Sequence, residues 1–188
     1  MTQWILILLG VVLTLGTALF VATDFSLVAL DRNSVQRAID DGDERARPVL
    51  ASLRGLSTQL SAAQVGITLT TLILGFIVEP SVGALLRTPL AAIGVTGGAA
   101  SATSTVLAMV LASAFSMIFG ELVPQFLGIS APLRVAKIVA RPVQVFAALF
   151  KPLIVVLNGS ANLLLRSMGI EPQEELSAAR TPQELSSM

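Results

Sequence analysis

Three long apolar runs constrain the fold of this chain more than any other feature. They cover residues 4–30, 60–86 and 99–119, and the first two contain one acidic residue each, Asp24 and Glu79. At 1.5 Å per helical residue the first run is about 40 Å long, which exceeds the ~30 Å hydrocarbon core of a bilayer. Only 13% of the residues are charged, against about 25% in a soluble domain. The sequence therefore predicts an all-α membrane protein with three spanning helices.

The composition also excludes several classes of function. The chain has no cysteine and no histidine, which excludes thiolate zinc sites, iron–sulfur clusters and histidine-based catalytic triads. The formal net charge is zero and the basic residues are scattered, so we expect no nucleic-acid partner. No nucleophile–base pair and no phosphate-binding glycine loop is visible, so we expect no enzyme. A metal site would have to use oxygen ligands, which favours Mg²⁺, Ca²⁺ or Na⁺.

The distribution of basic residues predicts the orientation in the membrane. Five arginines fall in residues 31–57, only Arg87 lies between the second and third runs, and six Lys/Arg follow from Arg134 onward. The positive-inside rule then places the N-terminus outside and the C-terminus in the cytoplasm of a multi-pass plasma-membrane protein. Gly42 and Gly55 interrupt the helical pattern of the first loop, so we expect two short juxtamembrane helices there.

An acidic residue and a proline follow the third run. Pro124 has no N–H, so the carbonyl of Gly120 loses its helical donor beside the costly carboxylate of Glu121. We expect Pro124 and Gly128 to break the helix. A hard cation would satisfy both the carbonyl and the carboxylate. The alternative is that Glu121 only marks where the helix leaves the membrane.

Small and polar residues form a stripe along the second run. They follow each other at spacings of three and four, at Ser61, Gln64, Thr68, Thr71 and Gly75. Such a stripe is also typical of close helix packing, but Gln64 is larger and more polar than packing requires. In the third run Ser116 lies on a similar face, and Asp24 lies in the first. We expect these stripes to line an ion path, although Asp24 could instead pair with an arginine of the first loop.

Residues 132–169 predict helices that lie at the membrane surface. Uncharged stretches between Arg141, Lys151 and Arg166 are shorter than the ~20 residues of a span, so an amphipathic belt at the inner interface is favoured over a fourth span. The belt cations would meet anionic lipid headgroups; they are Arg134, Lys137, Arg141 and Lys151. Residues 171–188 are polar and acidic, which is typical of a linker.

Four ordered segments resemble a known family. They are FVATDFSLVALDR at 20–32, QVGITL at 64–69, GELVPQ at 120–125 and LNGSAN at 157–162. Together they resemble the transmembrane module of the CorC / cyclin M (CNNM) magnesium transporters. The resemblance implies a homodimer in which each protomer has three membrane helices and a cytosolic-side belt helix. It also implies a dehydrated Mg²⁺ that is bound between the helices and exported in exchange for Na⁺.

The resemblance leads to a site hypothesis and a domain division. The expected Mg²⁺ ligands are Thr23, Ser26, Gln64, Thr68, Glu121 and the carbonyl of Gly120, with Asp24, Thr71 and Ser116 along the ion pathway. Residues 1–132 would form the transport module, with spans at about 4–30, 60–86 and 99–121, and residues 133–170 would form the belt. Residues 171–188 would lead towards a cytosolic CBS-domain pair, through which family members bind nucleotide.

Three positions depart from the common pattern of that family. Thr23 stands where bacterial relatives usually have serine, Asp24 where they usually have glutamate, and Gln125 where many have lysine. The first two changes keep a hydroxyl and a carboxylate, whereas the third removes a cation near the site. Two alternatives to transport remain open: a Mg²⁺-sensing membrane subunit that regulates another transporter, and a structural anchor for the cytosolic domain.

Overall fold

The computed structural model describes residues 2–170, and within them every regular element is a helix. The helices in chain order are α1 Thr2–Val28, α2 Arg32–Asp40, a 3₁₀ turn Glu44–Ala46, α3 Arg47–Arg54, α4 Leu56–Ala92, α5 Gly97–Ser116, a π-helical segment Met117–Leu122, α6 Val123–Ser130, α7 Pro132–Leu149 and α8 Lys151–Ser167. The all-α fold class is confirmed. The linker predicted at residues 171–188 lies outside the described residues.

Three helical stretches are long and apolar enough to cross a membrane, as predicted. They are Thr2–Val28, Leu56–Ala92 and Gly97–Ser130. The second is longer than the apolar run that predicts it, because α4 continues through Pro80 and Pro89 to Ala92. A short turn then connects it to α5, with Gly94 at a φ of 87°, which glycine adopts without strain. Glu79 therefore lies inside a helix and not at its end.

The third span is not broken at Pro124 or Gly128, and that prediction is wrong. The backbone instead forms the π-helical segment, in which the N–H of Val123 donates to the carbonyl of Ile118 five residues back. This wider pairing shifts the register by one residue just before Pro124, which has no N–H to give, and α6 continues to Ser130. Gly128 has a packing role: a Cβ there would lie 3.1 Å from the Cβ of Phe25, so α6 approaches α1 closely.

Helix α1 occupies the centre of the bundle. It packs against α4, the π-helical segment, α6 and α7. Gly66 of α4 sits directly on the buried ring of Phe20, since a Cβ at position 66 would come within 2.5 Å of that ring. A hydrogen bond of 2.8 Å joins the hydroxyls of Thr17 and Thr70 across the same interface. Small residues and an interhelical hydrogen bond are the means by which helices associate in lipid.

Helices α2, α3 and α7, with the 3₁₀ turn, form a compact layer that we call the platform. Its apolar core includes Val35 and Val49, both 0% exposed. Two polar contacts join its elements: Lys137 donates to Asp43 at 2.7 Å, and Gln144 donates to the carbonyl of Pro48 at 2.8 Å. The two juxtamembrane helices, α2 and α3, are confirmed.

Helices α7 and α8 are set at an angle of 81° to each other at a short break. Neither helix alone qualifies as a span by length and composition, and only the two taken together as one bent span would count as a fourth. Since α7 packs along the platform helix α3 as well as against α1 and α4, the arrangement is that of two angled helices rather than one straight span. The assignment of residues 133–170 to a belt at the membrane surface stays a prediction.

Candidate functional site

A cavity of about 510 Å³ lies between α1, α4, the π-helical segment and α6. We call it the Gln64 cavity. It is lined by Val21, Asp24, Phe25, Val28, Leu60, Gln64, Ile67, Glu121 and Gln125. The fold thus brings together three predicted site residues from three spans, namely Asp24, Gln64 and Glu121, with Gln125 beside them.

Asp24 and Gln64 form a hydrogen-bonded pair across the α1–α4 interface. The amide Nε2 of Gln64 donates to Oδ2 of Asp24 at 2.7 Å. The second oxygen, Oδ1 of Asp24, is buried and accepts no hydrogen bond among the described residues. The predicted alternative, an ion pair between Asp24 and an arginine of the first loop, is not formed. A buried carboxylate oxygen without a donor is costly unless a proton or a cation meets it.

Glu121 is placed by the π-helical segment. Its side chain is exposed, and within residues 2–170 it forms neither an ion pair nor a side-chain hydrogen bond. π-Helical turns are rare and occur mainly at functional sites. The helix continues past Glu121 to Ser130, so Glu121 does not lie at a helix end. The segment presents an uncompensated carboxylate to the space between the spans.

A second cavity of about 220 Å³ meets the same carboxylate from the other side. We call it the Glu79 cavity; its lining residues are Thr71, Leu74, Gly75, Glu79, Ala112, Ser113, Ser116, Met117 and Glu121. Two predicted pathway residues, Thr71 and Ser116, lie here, whereas the third, Asp24, lines the Gln64 cavity. Glu121 is the residue that both cavities share.

The other predicted ligands line neither of these two cavities. Thr23 and Ser26 are fully buried within the bundle, where Thr23 donates to the Leu19 carbonyl at 2.8 Å. Thr68 donates to the Gln64 carbonyl at 2.9 Å and lines neither cavity. Gly120 is buried against α1, where a Cβ would lie 3.4 Å from Cγ2 of Thr14. Of the six proposed ligands, Gln64 and Glu121 line the Gln64 cavity.

Sequence reasoning missed the place of Glu79 and Ser113. From the sequence we assign Glu79 no role beyond that of an acidic residue in the second run, yet its side chain lines a cavity inside the bundle. A signal for this was present, because Glu79 follows Gly75 by four residues and extends the stripe of the second run by one turn. Within residues 2–170, no three acidic side chains converge on a point that could hold a metal. A cation in either cavity would therefore also need amide, hydroxyl or water oxygens.

Comparison with known proteins identifies the family. Residues 8–188 match the family described as "Cyclin M transmembrane N-terminal domain". The chain is 46% identical over 176 residues to the UPF0053 protein MT1890 of Mycobacterium tuberculosis, covering 94% of this chain and 39% of that relative. It is 34% identical over 180 residues to the UPF0053 protein YhdT of Bacillus subtilis, covering 96% of this chain and 39% of that relative. The chain thus spans about two fifths of the length of these relatives, and it belongs to the cyclin M transmembrane (CNNM) family.

Proposed function

We propose that this chain is the membrane part of a Mg²⁺ transporter and that the ion passes through the Gln64 cavity. The observation that carries the proposal is the position of Glu121, an unpaired carboxylate inside a spanning helix at the junction of two cavities. Membership of the cyclin M family supports Mg²⁺ as the cargo. Transport needs no chemical step, so no catalytic residue is assigned.

The side chains of the Gln64 cavity suit a hard cation. Asp24 and Glu121 supply carboxylate oxygens, and Gln64 and Gln125 supply amide oxygens. Mg²⁺ prefers six oxygen ligands at about 2.0–2.1 Å and keeps several waters where the protein does not replace them. An arriving cation would meet Oδ1 of Asp24, which lacks a partner, while Gln64 already orients the other oxygen of the same carboxylate.

Two cavities that share one carboxylate suggest how the ion crosses. An ion held by Glu121 could exchange with either cavity, and a change in helix packing would determine which one is open. The π-helical segment is suited to this role because its wider turn can revert to α-helical pairing with a small shift in register. Thr23, Ser26, Thr68 and the Gly120 carbonyl would become ligands only in such a rearranged state.

Further features belong to the same proposal. We propose Na⁺ as the counter-ion, a homodimer as the working unit, and a plasma-membrane location with the N-terminus outside and the C-terminus cytoplasmic. The belt cations Arg134, Arg141 and Lys151 would meet anionic lipid headgroups, whereas Lys137 is engaged with Asp43. Nucleotide would act only through a CBS-domain pair of the longer protein.

Flux into liposomes that contain only this protein tests the proposal. We expect Glu121→Gln to lower Mg²⁺ flux at least ~100-fold, because it removes the charge that both cavities share. The matched control is Glu44→Gln, whose side chain is 65% exposed and pairs with Arg47 on the platform surface; its flux should equal that of the wild type. Flux of the Glu121 variant at the wild-type rate would refute the proposal.

Liposome flux combined with a measurement of thermal stability separates transport from sensing. A regulatory subunit would bind Mg²⁺ through Glu121 but carry no flux on its own. Mg²⁺-dependent thermal stabilisation that is lost in Glu121→Gln, together with zero flux from the wild-type protein, would support the sensing function and reject transport.

A further inference from the structure

The hydroxyl groups of the spanning helices show a pattern with an informative exception. Most of them donate to a carbonyl one turn earlier in their own helix, as Thr14, Thr70 and Ser81 do at 2.8–2.9 Å. This is the ordinary way to satisfy a hydroxyl in lipid. Ser113 and Ser116, which lie one turn apart just before the π-helical segment, form no such bond within the described part of the chain. Both line the Glu79 cavity.

Ser116 is the more informative of the two because it is buried. It is only 8% exposed, yet its hydroxyl has no hydrogen-bond partner among residues 2–170. The hydroxyl is therefore free to interact with a ligand or an ordered water in the Glu79 cavity, which Ser116 lines.

The carboxylate of Glu79 points into the same cavity. Its Oε1 lies 3.7 Å from the position that a Cβ at Gly75 would occupy, so the side chain folds back along α4 over that glycine. Glu79 is half-buried and forms no ion pair or side-chain hydrogen bond within the described residues. Thr71, one turn before Gly75 on this face, donates its proton to the Ile67 carbonyl at 2.7 Å. Only the lone pairs of its oxygen therefore remain for the cavity.

We infer that Glu79, Ser113, Ser116 and Thr71 form a second cation-binding site, separate from the Gln64 cavity and meeting it at Glu121. The oxygen-only donor set selects a hard alkali or alkaline-earth cation. The cavity volume of about 220 Å³ is several times the ~30 Å³ that a water molecule occupies in the liquid, so the cation keeps part of its hydration shell. The hydroxyls of the two serines take the place of some of the water molecules that the cation loses.

The second site adds an intermediate stop to the ion path. Gln64 and Glu79 are 15 residues apart on α4, which corresponds to about 22 Å along the helix axis. An ion leaving Glu121 towards Glu79 stays within reach of a carboxylate through much of the hydrocarbon core. The inference deepens the proposed function, because the two sites share Glu121, but Glu79 itself does not line the Gln64 cavity.

Cation binding to the purified full chain tests the inference, with Mn²⁺ followed by electron paramagnetic resonance and Na⁺ by ²³Na relaxation. We expect Glu79→Gln to weaken the binding of at least one of these ions by tenfold or more, and Ser116→Ala to weaken the same ion less. The control is Ser160→Ala, since that exposed hydroxyl already donates to Val156 in α8. Thermal unfolding of each variant shows that it is folded.

The outcomes distinguish this inference from the proposed function. If Glu79→Gln and Ser116→Ala bind both ions as the wild type does, the second site does not exist, whatever happens at Gln64. If Gln64→Ala leaves Mn²⁺ binding and Mg²⁺ flux unchanged while Glu79→Gln abolishes the binding of one ion, the second site exists and the proposed route through the Gln64 cavity is wrong.

Discussion

The polar groups at the internal contacts of the platform have partners, whereas several of those that line the cavities of the spanning layer have none within the described part of the chain. In the platform, Asp43, Gln144 and Ser52 all have partners within 2.9 Å, around a core in which Val35 and Val49 are fully buried. In the spanning layer, Glu121 and Ser116 have no partner among the described residues, and two cavities separate the helices. The comparison indicates that the platform supplies stability, whereas the spanning layer keeps polar groups free for a ligand.

A physical reason underlies this difference. Helices α2 and α3 of the platform lie in the charged segment that connects the first two spans, where we expect water to make the burial of apolar side chains favourable. Inside lipid that driving force between helices is absent, so packing depends on close contacts between small residues. Gaps in the spanning layer therefore cost less, and unpaired oxygens can persist there if an ion or water uses them.

The largest effect on stability is expected where the spanning layer is packed most tightly. We predict that Gly66→Ala destabilises the protein by about 1–3 kcal/mol or more, because the added Cβ would come within 2.5 Å of the Phe20 ring. That ring cannot easily move away, since it is buried against Phe146 at a centroid distance of 4.7 Å. Thermal unfolding in detergent measures the loss.

Gly159→Ala is the matched control for that change. A Cβ at position 159 would meet nothing within 4 Å, and alanine is favoured over glycine inside a helix by up to ~1 kcal/mol. Its Tm should stay equal or rise. Equal unfolding temperatures for Gly66→Ala and the wild type would show that α1 and α4 are loosely packed throughout.

Two glutamines give the most direct test of the comparison. Gln144→Ala removes the donor to the Pro48 carbonyl and should cost about 1–3 kcal/mol of stability, with Mg²⁺ flux per folded protein unchanged. Gln64→Ala should do the reverse: its side chain is exposed to the cavity, so Tm changes little while flux falls roughly tenfold. Unfolding and liposome flux are measured on both variants. The same response from both glutamines would remove the distinction between the two layers.

The smallest effect is expected at the platform ion pair. Lys137 lowers the pKa of the Asp43 carboxyl below its ordinary value of 3.8 through a hydrogen bond. A lowered folded-state pKa stabilises the protein above the unfolded-state pKa, and this contribution is lost as the pH falls through the lowered value. We therefore expect Lys137→Gln to reduce Tm slightly at pH 7 and to match the wild type in strong acid.

The control for the ion pair is Lys151→Gln. Lys151 is exposed and forms no ion pair within the described residues, so this variant loses the same charge without losing a partner. A Tm difference between Lys137→Gln and the wild type that persists unchanged into strong acid would mean that Lys137 acts through packing. High salt should reduce the effect because the pair is partly exposed.

The sequence could predict which acidic residues belong to the candidate site, but not which of the neighbouring side chains face the cavity. An acid inside a long apolar run is rare enough to mark Glu121 and Asp24 as candidates. The sequence could not show whether Asp24 or its neighbour Thr23 faces the cavity. Adjacent helical residues point about 100° apart, and only the packing partners decide which one is buried. Here Thr23 and Ser26 are fully buried, α6 approaches α1 closely at Ser26, and Asp24 faces Gln64.

The sequence by itself determined the three spans, the two juxtamembrane helices and the fact that any metal site must use oxygen ligands, because hydropathy, glycine interruptions and residue types are local properties. Only the tertiary structure decided that the third helix passes Pro124 through a π-helical turn, and that Glu121 faces two cavities at once. Both depend on how the third span packs against α1 and α4. A helix can accommodate a proline, which lacks an N–H, either by a break in the helix or by a shift in the backbone hydrogen-bond pairing. The neighbouring helices determine which of the two forms.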